Sequence, residues 1–289
     1  KLENSRLRLN MTLGVHSDTF YFAVGGTPGQ RMQHFILGQG VNQLAQLQAS
    51  ATAGQFLATA KALDLLKGVV ITEPQGDAYR IIRLSKRVIS LQEATRTTKI
   101  PGAAQELLAY IPPPIAQGLQ NQGAAIAIEG EHRKVTIIFI NLTGVNELLT
   151  ESGADVLLAE LQTYLSDVIR LAHQYGGFLA GNDIYTAGIK LILVFGAPVA
   201  HEYDSANALR FTLELKEELA QSKSRLSHRI GVNSGFVFAG NVGAPYRREY
   251  TVMGDAVNLS ARLMSAAAPQ QILVSRATAD EAGTGFRHD

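Results

Sequence analysis

The chain has 289 residues, and its 26 lysines and arginines nearly balance its 25 aspartates and glutamates, for a formal net charge of +1. Hydrophobic residues make up 46% of the chain and charged residues 18%, which argues against a disordered protein, a coiled coil and a broad nucleic-acid surface. The sequence contains no cysteine and no apolar run of the roughly 20 residues that a membrane span needs. We therefore expect a cytoplasmic protein of one or two domains, with no disulfide, thiolate metal site, membrane segment or nucleic-acid partner.

The first part of the chain is predicted to hold short strands separated by Gly-rich turns. The segments LGVHS (13–17), GTP (26–28) and GQGVNQLAQ (38–46) lead into an Ala-rich stretch and two strands, at 55–58 and 79–84. Gly25, Gly26 and Gly29 indicate a turn, since no Gly-Lys-Ser/Thr sequence follows to form a phosphate loop. The chain opens at Lys1 without methionine, and we expect it to begin inside a domain.

A linker is predicted between residues 92 and 132. It contains Ile111-Pro112-Pro113-Pro114, a sequence that excludes a helix interior and a central strand. Residues 115–122 are predicted to form a short helix after the prolines.

From residue 133 onward the pattern predicts the order β-α-β-β-α-β. Its elements are a strand at 134–142, a helix at 150–173 that ends at Gly176-Gly177, a strand pair at 178–179 and 190–195, a helix at 201–221, and strands at 229–233 and 236–241 around a hairpin turn at Ser234-Gly235. This order is the split βαβ, or ferredoxin-like, arrangement. It predicts an antiparallel sheet with helices on one face.

The end of this pattern repeats the start of the chain. Its segments IGVNS (230–234), GAP (243–245) and GDAVNLSAR (254–262) match the three Gly-rich segments of the first part, and QILV (271–274) matches QFLA (55–58). The spacing from the first glycine to the proline is the same in both copies, and so is the spacing from the later glycine to the asparagine. We interpret this agreement as an internal repeat and not as chance similarity between turns.

Four stretches of the second copy resemble the class III adenylate and guanylate cyclases. They are VTIIFINLTG (135–144), VFGAP (194–198), GVNSG (231–235) and REYTVMGDAVNLSAR (248–262), the last being highly specific. The resemblance implies an α+β fold, with a ferredoxin-like (βαββαβ) cyclase domain at 133–289 that lacks its last strand. A linker at 92–132 and the C-terminal half of a second, diverged cyclase domain at 1–91 are expected to precede it.

The resemblance implies a reaction in which the ribose 3′-hydroxyl of ATP or GTP displaces pyrophosphate from the α-phosphate. In the family, two aspartates hold Mg²⁺ or Mn²⁺, an arginine stabilises the phosphate charge, and an asparagine orients the ribose. Asn258 and Arg262 match the asparagine and the arginine, four residues apart on one helix face. Thr251 matches the base-reading position, where its hydroxyl leaves adenine and guanine undecided.

The metal positions of the family are degenerate in this chain. Asn141 and Ile189 stand where the two aspartates belong, and Tyr185 stands where a lysine is usual. A neutral amide replaces a bridging carboxylate poorly, and isoleucine cannot ligate a metal, so no metal is expected to bind this chain. Asp183, in an apparent insertion, is a remote substitute ligand.

The first copy lacks the arginine of the asparagine–arginine pair. Asn42 matches Asn258, but Gln46 replaces Arg262 and carries no charge for a phosphate. Family sites form between two domains, one giving the aspartates and the other the asparagine and arginine. Asn42 and Gln46 would thus face Asn141 and Ile189 in a dead pseudosite.

These losses favour the interpretation that the chain is the C-terminal part of a tandem cyclase. It would supply the asparagine and arginine of one composite site, and we expect it to be inactive as this fragment. Mg²⁺ or Mn²⁺ and ATP or GTP are expected only in the complete protein. The partner would be the missing half of the first domain, in cis or on a second chain. Two alternatives stay open: a catalytically dead regulatory or nucleotide-binding module, and a half domain completed by swapping with another chain.

Overall fold

The computed structural model describes residues 10–85, 103–122, 130–185, 188–244 and 247–287. The chain divides into two compact units, the first made of residues 1–21 and 36–99 and the second of residues 22–35 and 100–289. The predicted boundaries at 91 and 132 therefore differ from the observed division, because residues 22–35 and the Pro-rich segment join the second unit. The assignment of the chain to two cyclase homology domains stays a prediction.

A four-stranded sheet forms the frame of the first unit. The elements up to residue 85 are β1 (Leu13–Val15), β2 (Tyr21–Thr27), β3 (Arg31–Leu37), α1 (Gln39–Ser50), β4 (Phe56–Ala58), α2 (Ala60–Leu65), β5 (Val70–Gln75) and β6 (Ala78–Leu84). The strand order is β1-β4-β6-β5, with β1 and β4 parallel. Leu47, Leu57 and Ala78 form its small buried core. The strands predicted at 55–58 and 79–84 are confirmed as β4 and β6.

The hairpin of β2 and β3 packs within the second unit through residues 22–35. Gln162 holds it by accepting from the Gly26 N–H at 2.9 Å and donating to the Gly26 carbonyl at 2.6 Å. The buried guanidinium of Arg31 donates to the carbonyl oxygens of Leu179, at 3.1 Å, and Ala180, at 2.9 Å. Burial lowers the pKa of Arg31 to about 10, so the group stays charged at neutral pH.

A larger sheet forms the second unit. Its remaining elements are α3 (Ala103–Leu107), a 3₁₀ helix (Leu108–Tyr110), α4 (Pro113–Gln122), β7 (Glu131–Thr143), α5 (Val145–Ser152), α6 (Ala154–Gln174), β8 (Gly177–Tyr185), β9 (Gly188–Phe195), α7 (Asp204–Gln221), β10 (Ser227–Ala244), β11 (Arg247–Met253), α8 (Asp255–Ala266), β12 (Ile272–Val274) and α9 (Arg276–Ala282). The strand order is β11-β10-β7-β9-β8, with β12 parallel to β10. This order confirms the ferredoxin-like arrangement of β7, α6, β8, β9, α7 and β10. Among the described helices, none is long and apolar enough to cross a membrane.

Two local predictions for this unit are wrong. The helix expected at 150–173 is two helices, α5 and α6, because Gly153 between them adopts φ +85°. The hairpin turn expected at Ser234-Gly235 is absent, since β10 runs unbroken along β7 from Ser227 to Ala239. Gly235 serves a close approach instead: a Cβ there would lie 2.7 Å from the Cβ of Ala256 on α8.

Helices cover both faces of this sheet, which corrects the expectation of helices on one face. On one face Val135, Ile137 and Phe139 of β7 join a buried cluster with side chains of α4 and α8. On the other face the ring of Phe195 contacts that of Phe211 on α7, at 5.8 Å between centroids. Residues 135–142 are therefore buried without alternation, as in strands covered on both sides.

The repeated segments have matched geometry in the two units. Gly14 of β1 pairs with Leu57 of β4, and Gly231 of β10 pairs with Leu273 of β12, both in parallel. The N–H groups that follow each short strand bond equivalently, Thr59 to the Val15 carbonyl at 3.1 Å and Ser275 to the Val232 carbonyl at 3.0 Å. Thr59 and Ser275 also cap the next helices, α2 and α9. The origin of the first unit as a diverged cyclase half stays a prediction.

Candidate functional site

The exposed side of α8 carries Asn258 and Arg262. Both side chains are exposed, and their spacing of one helical turn places them on the same face. Neither side chain has a hydrogen-bond or ion-pair partner within the described part of the chain. The two groups are therefore available to a ligand or a partner.

The buried side of α8 explains why that face is turned outward. The Ser260 hydroxyl lies 2.9 Å from both the Ile137 and the Gly231 carbonyl oxygens. Gly231 lets the helix come this close, because a Cβ there would lie 2.2 Å from the Met264 nitrogen. Helix α8 is thus fixed to the centre of the sheet through backbone contacts.

The equivalent helix of the first unit, α1, presents Asn42 and Gln46. Asn42 is half-buried and Gln46 is exposed, again one turn apart. Both side chains are neutral, so this helix offers no charge for a phosphate group.

Thr251 lies on β11, the strand that leads into α8. Its neighbours Tyr250 and Val252 belong to the buried cluster, so strand alternation turns Thr251 to the opposite side. Thr251 is half-buried, and no side-chain hydrogen bond links it to Asn258 or Arg262 within the described residues. The structure thus places the three residues on consecutive elements without joining them directly.

Asn141 occupies the first degenerate metal position, in the middle of the sheet. It is 1% exposed, and its Oδ1 has no hydrogen-bond partner among the described residues. Asn141 lies directly opposite Lys190 on β9 and opposite Arg229 on β10. Residues that lie opposite each other share a face of the sheet, so these three side chains form one cross-strand row.

Ile189 occupies the second metal position and points the other way. It pairs with Leu142 and is 6% exposed, on the face of the sheet opposite to Asn141. The carboxylate in line with the row is Asp183 on β8, which pairs with Lys190 at 3.2 Å. Tyr185, at the usual lysine position, ends β8, and its side chain lies outside the described residues.

A divalent cation does not fit these residues. Mg²⁺ and Mn²⁺ require carboxylate or other hard oxygen ligands, whereas the row holds an amide between two cationic side chains. Arg229 and Lys190 would repel such an ion. Over the described ranges, no group of three histidine or acidic side chains is placed to hold a metal.

Sequence reasoning did not single out Lys190 and Arg229. Lys190 opens the apolar strand segment KLILVF, and Arg229 immediately precedes IGVNS. The sequence offered one signal for these two residues, namely a charged side chain within a largely apolar strand. The strand register is also needed, because only pairing across three strands brings the two cations beside Asn141.

A buried polar pair lies on the face of the sheet opposite to Asn141. The Tyr164 hydroxyl on α6 is 3.0 Å from Nδ1 of His228, which is fully buried. Burial lowers the pKa of His228 to about 4 and raises that of Tyr164. Both groups are neutral at pH 7, which is typical of a core contact and not of a catalytic pair.

Comparison with known proteins identifies a family for the second unit. The family model described as "Adenylate and Guanylate cyclase catalytic domain" matches residues 128–287. The Mycobacterium tuberculosis protein named "Uncharacterized protein Rv1320c" is 32% identical over 151 residues, which cover 52% of this chain and 26% of that protein. The chain thus spans about a quarter of the length of this curated relative.

Two solved structures are similar to part of this chain. The adenylyl cyclase CyaB from P. aeruginosa is 28% identical, with a TM-score of 0.47 over 53% of this chain and 82% of that one. A bacterial light-regulated adenylyl cyclase is 22% identical, with a TM-score of 0.52 over 62% of this chain and 54% of that one. Because the family model covers more than half of its residues, this chain belongs to the adenylate and guanylate cyclase catalytic domain family.

Proposed function

We propose that the second unit supplies the asparagine and arginine of a nucleotidyl cyclase site whose metal-binding carboxylates come from another cyclase domain. The observation that carries this proposal is the contrast between two parts of the unit. Asn258 and Arg262 are exposed on one face of α8 and have no partner among the residues that the structure describes, while the position of the first metal aspartate is a buried asparagine flanked by cations. The substrate is ATP or GTP, and the products are a cyclic nucleotide and pyrophosphate.

In this proposal Arg262 donates hydrogen bonds to the phosphate oxygens, where negative charge grows in the transition state. Asn258, one turn earlier, orients the ribose so that its 3′-hydroxyl lies in line with the α-phosphate. Thr251 contacts the base. Mg²⁺ or Mn²⁺ would be held by the other domain and would activate the hydroxyl there.

The test measures cyclic nucleotide formation from ATP and from GTP, with Mn²⁺, by this chain and by the complete protein. We expect no product from the chain and product from the complete protein. Arg262→Ala in the complete protein should lower kcat roughly 100-fold or more, because one preorganised charge-stabilising donor is lost. Arg210→Ala is the control, since Arg210 is also an exposed arginine but lies on α7 at the opposite face of the sheet.

Activity of the chain alone that survives Arg262→Ala would contradict the proposal. The loss of both metal positions supports a second candidate, a catalytically dead module that binds nucleotide and regulates an attached domain. That candidate predicts a folded complete protein that binds nucleotide and forms no product from either substrate.

A further inference from the structure

We propose that a cavity between the β2–β3 hairpin, α4 and the strands β8 and β11 binds a small organic anion with an apolar body. The cavity lies within the second unit and measures about 580 Å³, inside the range of about 300–1,000 Å³ that is typical of small-molecule sites. Among the described residues, Asn258, Arg262 and Thr251 are not part of its wall. The inference therefore does not depend on the proposed cyclase site.

The apolar wall of the cavity comes mainly from α4 and the residues before it. Ile115 and Leu119 line the cavity one helical turn apart, and Ile111 lines it from the segment that precedes the helix. All three belong to or pack against the buried cluster that contains Phe139 and Tyr250. An apolar ligand body placed against this wall would leave water, which favours binding through the hydrophobic effect.

The charged side chains that line the cavity leave one positive charge in excess. They are those of Arg31, Arg248 and Glu249, with His34 counted as neutral. Arg248 and Glu249 are exposed, and neither side chain makes a hydrogen bond or an ion pair within the described residues. A single anionic group can therefore bond to Arg248, whereas Glu249 disfavours ligands with several negative charges.

Arg31 adds a buried positive charge to this wall. It is 5% exposed, and its guanidinium donates to the neutral carbonyl oxygens of Leu179 and Ala180. Burial lowers the pKa of Arg31 to about 10, and the charge of Glu249 raises that pKa without an ion pair between the two in the described part of the chain. Because buried charges are screened less than exposed ones, an anion in the cavity would be stabilised without a direct bond to Arg31.

Helix α4 depends on packing for its stability, so a ligand beside it should stabilise it. Its ten residues carry no charge and include Gly118, which lowers helix propensity in the interior of the helix. A helix of this length is marginal on its own in water. A ligand that contacts Ile115 and Leu119 would add to the contacts that hold the helix in place.

The test is a fluorescence titration of the chain with 2-naphthoate, an aromatic carboxylate that carries one negative charge at neutral pH. Because the chain contains no tryptophan, the naphthalene rings can be excited with little absorption by the protein. We expect saturable binding at a stoichiometry of about one and a higher midpoint of thermal unfolding. The uncharged 2-naphthamide has the same rings and should bind about 5-fold more weakly, since it lacks the charge.

A variant that fills the cavity tests the location. Leu119→Trp should weaken 2-naphthoate binding about 10-fold or more, because the indole would occupy the space of the ligand. Leu213→Trp is the matched control, since Leu213 is an exposed leucine of α7 on the other side of the sheet. We expect its affinity to equal that of the unchanged chain.

Two charge variants test the anion preference. Arg248→Ala should weaken binding about 3- to 5-fold and Glu249→Gln should tighten it by a similar factor, as expected for single exposed charges. Arg210→Ala and Glu217→Gln, at exposed positions of α7, are the matched controls and should leave the affinity unchanged. Thermal unfolding shows whether each variant is folded, and if Leu119→Trp does not fold, the opposite shifts of Arg248→Ala and Glu249→Gln decide.

Three results would overturn the inference: no saturable binding of 2-naphthoate, equal affinity for 2-naphthamide, or equal losses in a cavity variant and its control on α7. If Arg262→Ala abolishes binding while Leu119→Trp does not, the anion binds at α8 and this inference fails. Loss of cyclisation in Arg262→Ala with unchanged 2-naphthoate binding supports the two sites separately.

Discussion

Two helices, α1 in the first unit and α8 in the second, are built on the same local frame and carry different chemistry. Each begins after a glycine with positive φ, +129° at Gly38 and +149° at Gly254. Each also packs over a glycine of a parallel strand pair, Gly14 or Gly231. The frame depends on backbone conformations that few other residues adopt, so it persists where side chains have changed.

The exposed faces of the two helices differ at the position of the arginine. Gln46 stands on α1 where Arg262 stands on α8, and both positions are exposed. A substitution at an exposed helix position changes stability little. The comparison therefore indicates that an exchange of arginine for glutamine at this position changes the charge of the helix surface and leaves the fold of the helix intact.

The buried faces differ as well. Ser260 fixes α8 to two carbonyl oxygens, whereas the matching residue of α1 is Leu44, which has no polar atom in its side chain. A Cβ on Gly231 would lie 2.2 Å from the backbone of α8, but one on Gly14 would lie 3.3 Å from the nearest atoms of α1. Helix α8 is held more tightly to its sheet.

The largest expected effect comes from making α8 resemble α1. Arg262→Gln in the complete protein should lower kcat roughly 100-fold or more, because the phosphate loses its cationic donor. The midpoint of thermal unfolding should stay unchanged, since the side chain is exposed and contacts no partner in the described part of the chain. Steady-state assays and calorimetry measure the two quantities, and a large fall in the unfolding midpoint would show that Arg262 is structural.

The tight contact under α8 predicts the next effect. Gly231→Ala should lower the free energy of unfolding by about 3 kcal/mol, because the new methyl group would meet backbone atoms that cannot move aside. Gly14→Ala, with its looser contact to α1, should lower the free energy of unfolding by about 1 kcal/mol. Chemical denaturation measures both, and equal losses would contradict the difference in packing.

The buried His228 predicts a pH dependence that belongs to the second unit. Its pKa is about 4 in the folded chain, below the ordinary value of 6.5, so between these values the unfolded chain binds a proton that the folded chain does not. The stabilisation is complete above pH 6.5 and falls by about 3 kcal/mol as the pH drops toward 4.

Urea denaturation between pH 7 and 4 tests this dependence. His228→Asn should flatten the slope, because asparagine can still accept from Tyr164 but does not titrate. His173→Asn, which changes an exposed histidine of α6, should leave the slope intact. A slope that survives His228→Asn would assign the proton to another group.

The smallest effect concerns the hydroxyl that α1 lacks. Ser260→Ala should lower the free energy of unfolding by about 1 kcal/mol, through the loss of the hydrogen bond that its hydroxyl donates to a backbone carbonyl. Leu44→Ala in the first unit should act only through lost apolar burial. Chemical denaturation of the two variants at neutral pH measures the loss in the free energy of unfolding for each. The two losses show whether a polar contact holds α8 and apolar packing holds α1.

Much of the second unit is predictable from its sequence. The unbroken apolar run at 134–142 predicted the central strand, and glycine at position 176 marked the end of α6. The strand order follows from the β-α-β-β-α-β pattern, because such a unit closes in few ways. The exception at Ser234-Gly235 arose because a glycine can permit a turn or a close approach, and sequence does not distinguish the two.

The sequence by itself determined the repeat, the family resemblance, and the presence of Asn258 and Arg262 on one helix face, because these depend on residue type and local spacing. Only the tertiary structure decided which residues surround Asn141. Lys190 and Arg229 are distant from it along the chain, and a shift of one residue in either strand would turn their side chains to the other face. The same holds for residues 22–35, whose place in the second unit depends on contacts such as that between Gly26 and Gln162. Spacing along the sequence determines which side chains share a face of one helix or strand. Which side chains from several strands meet at a site depends on register and packing.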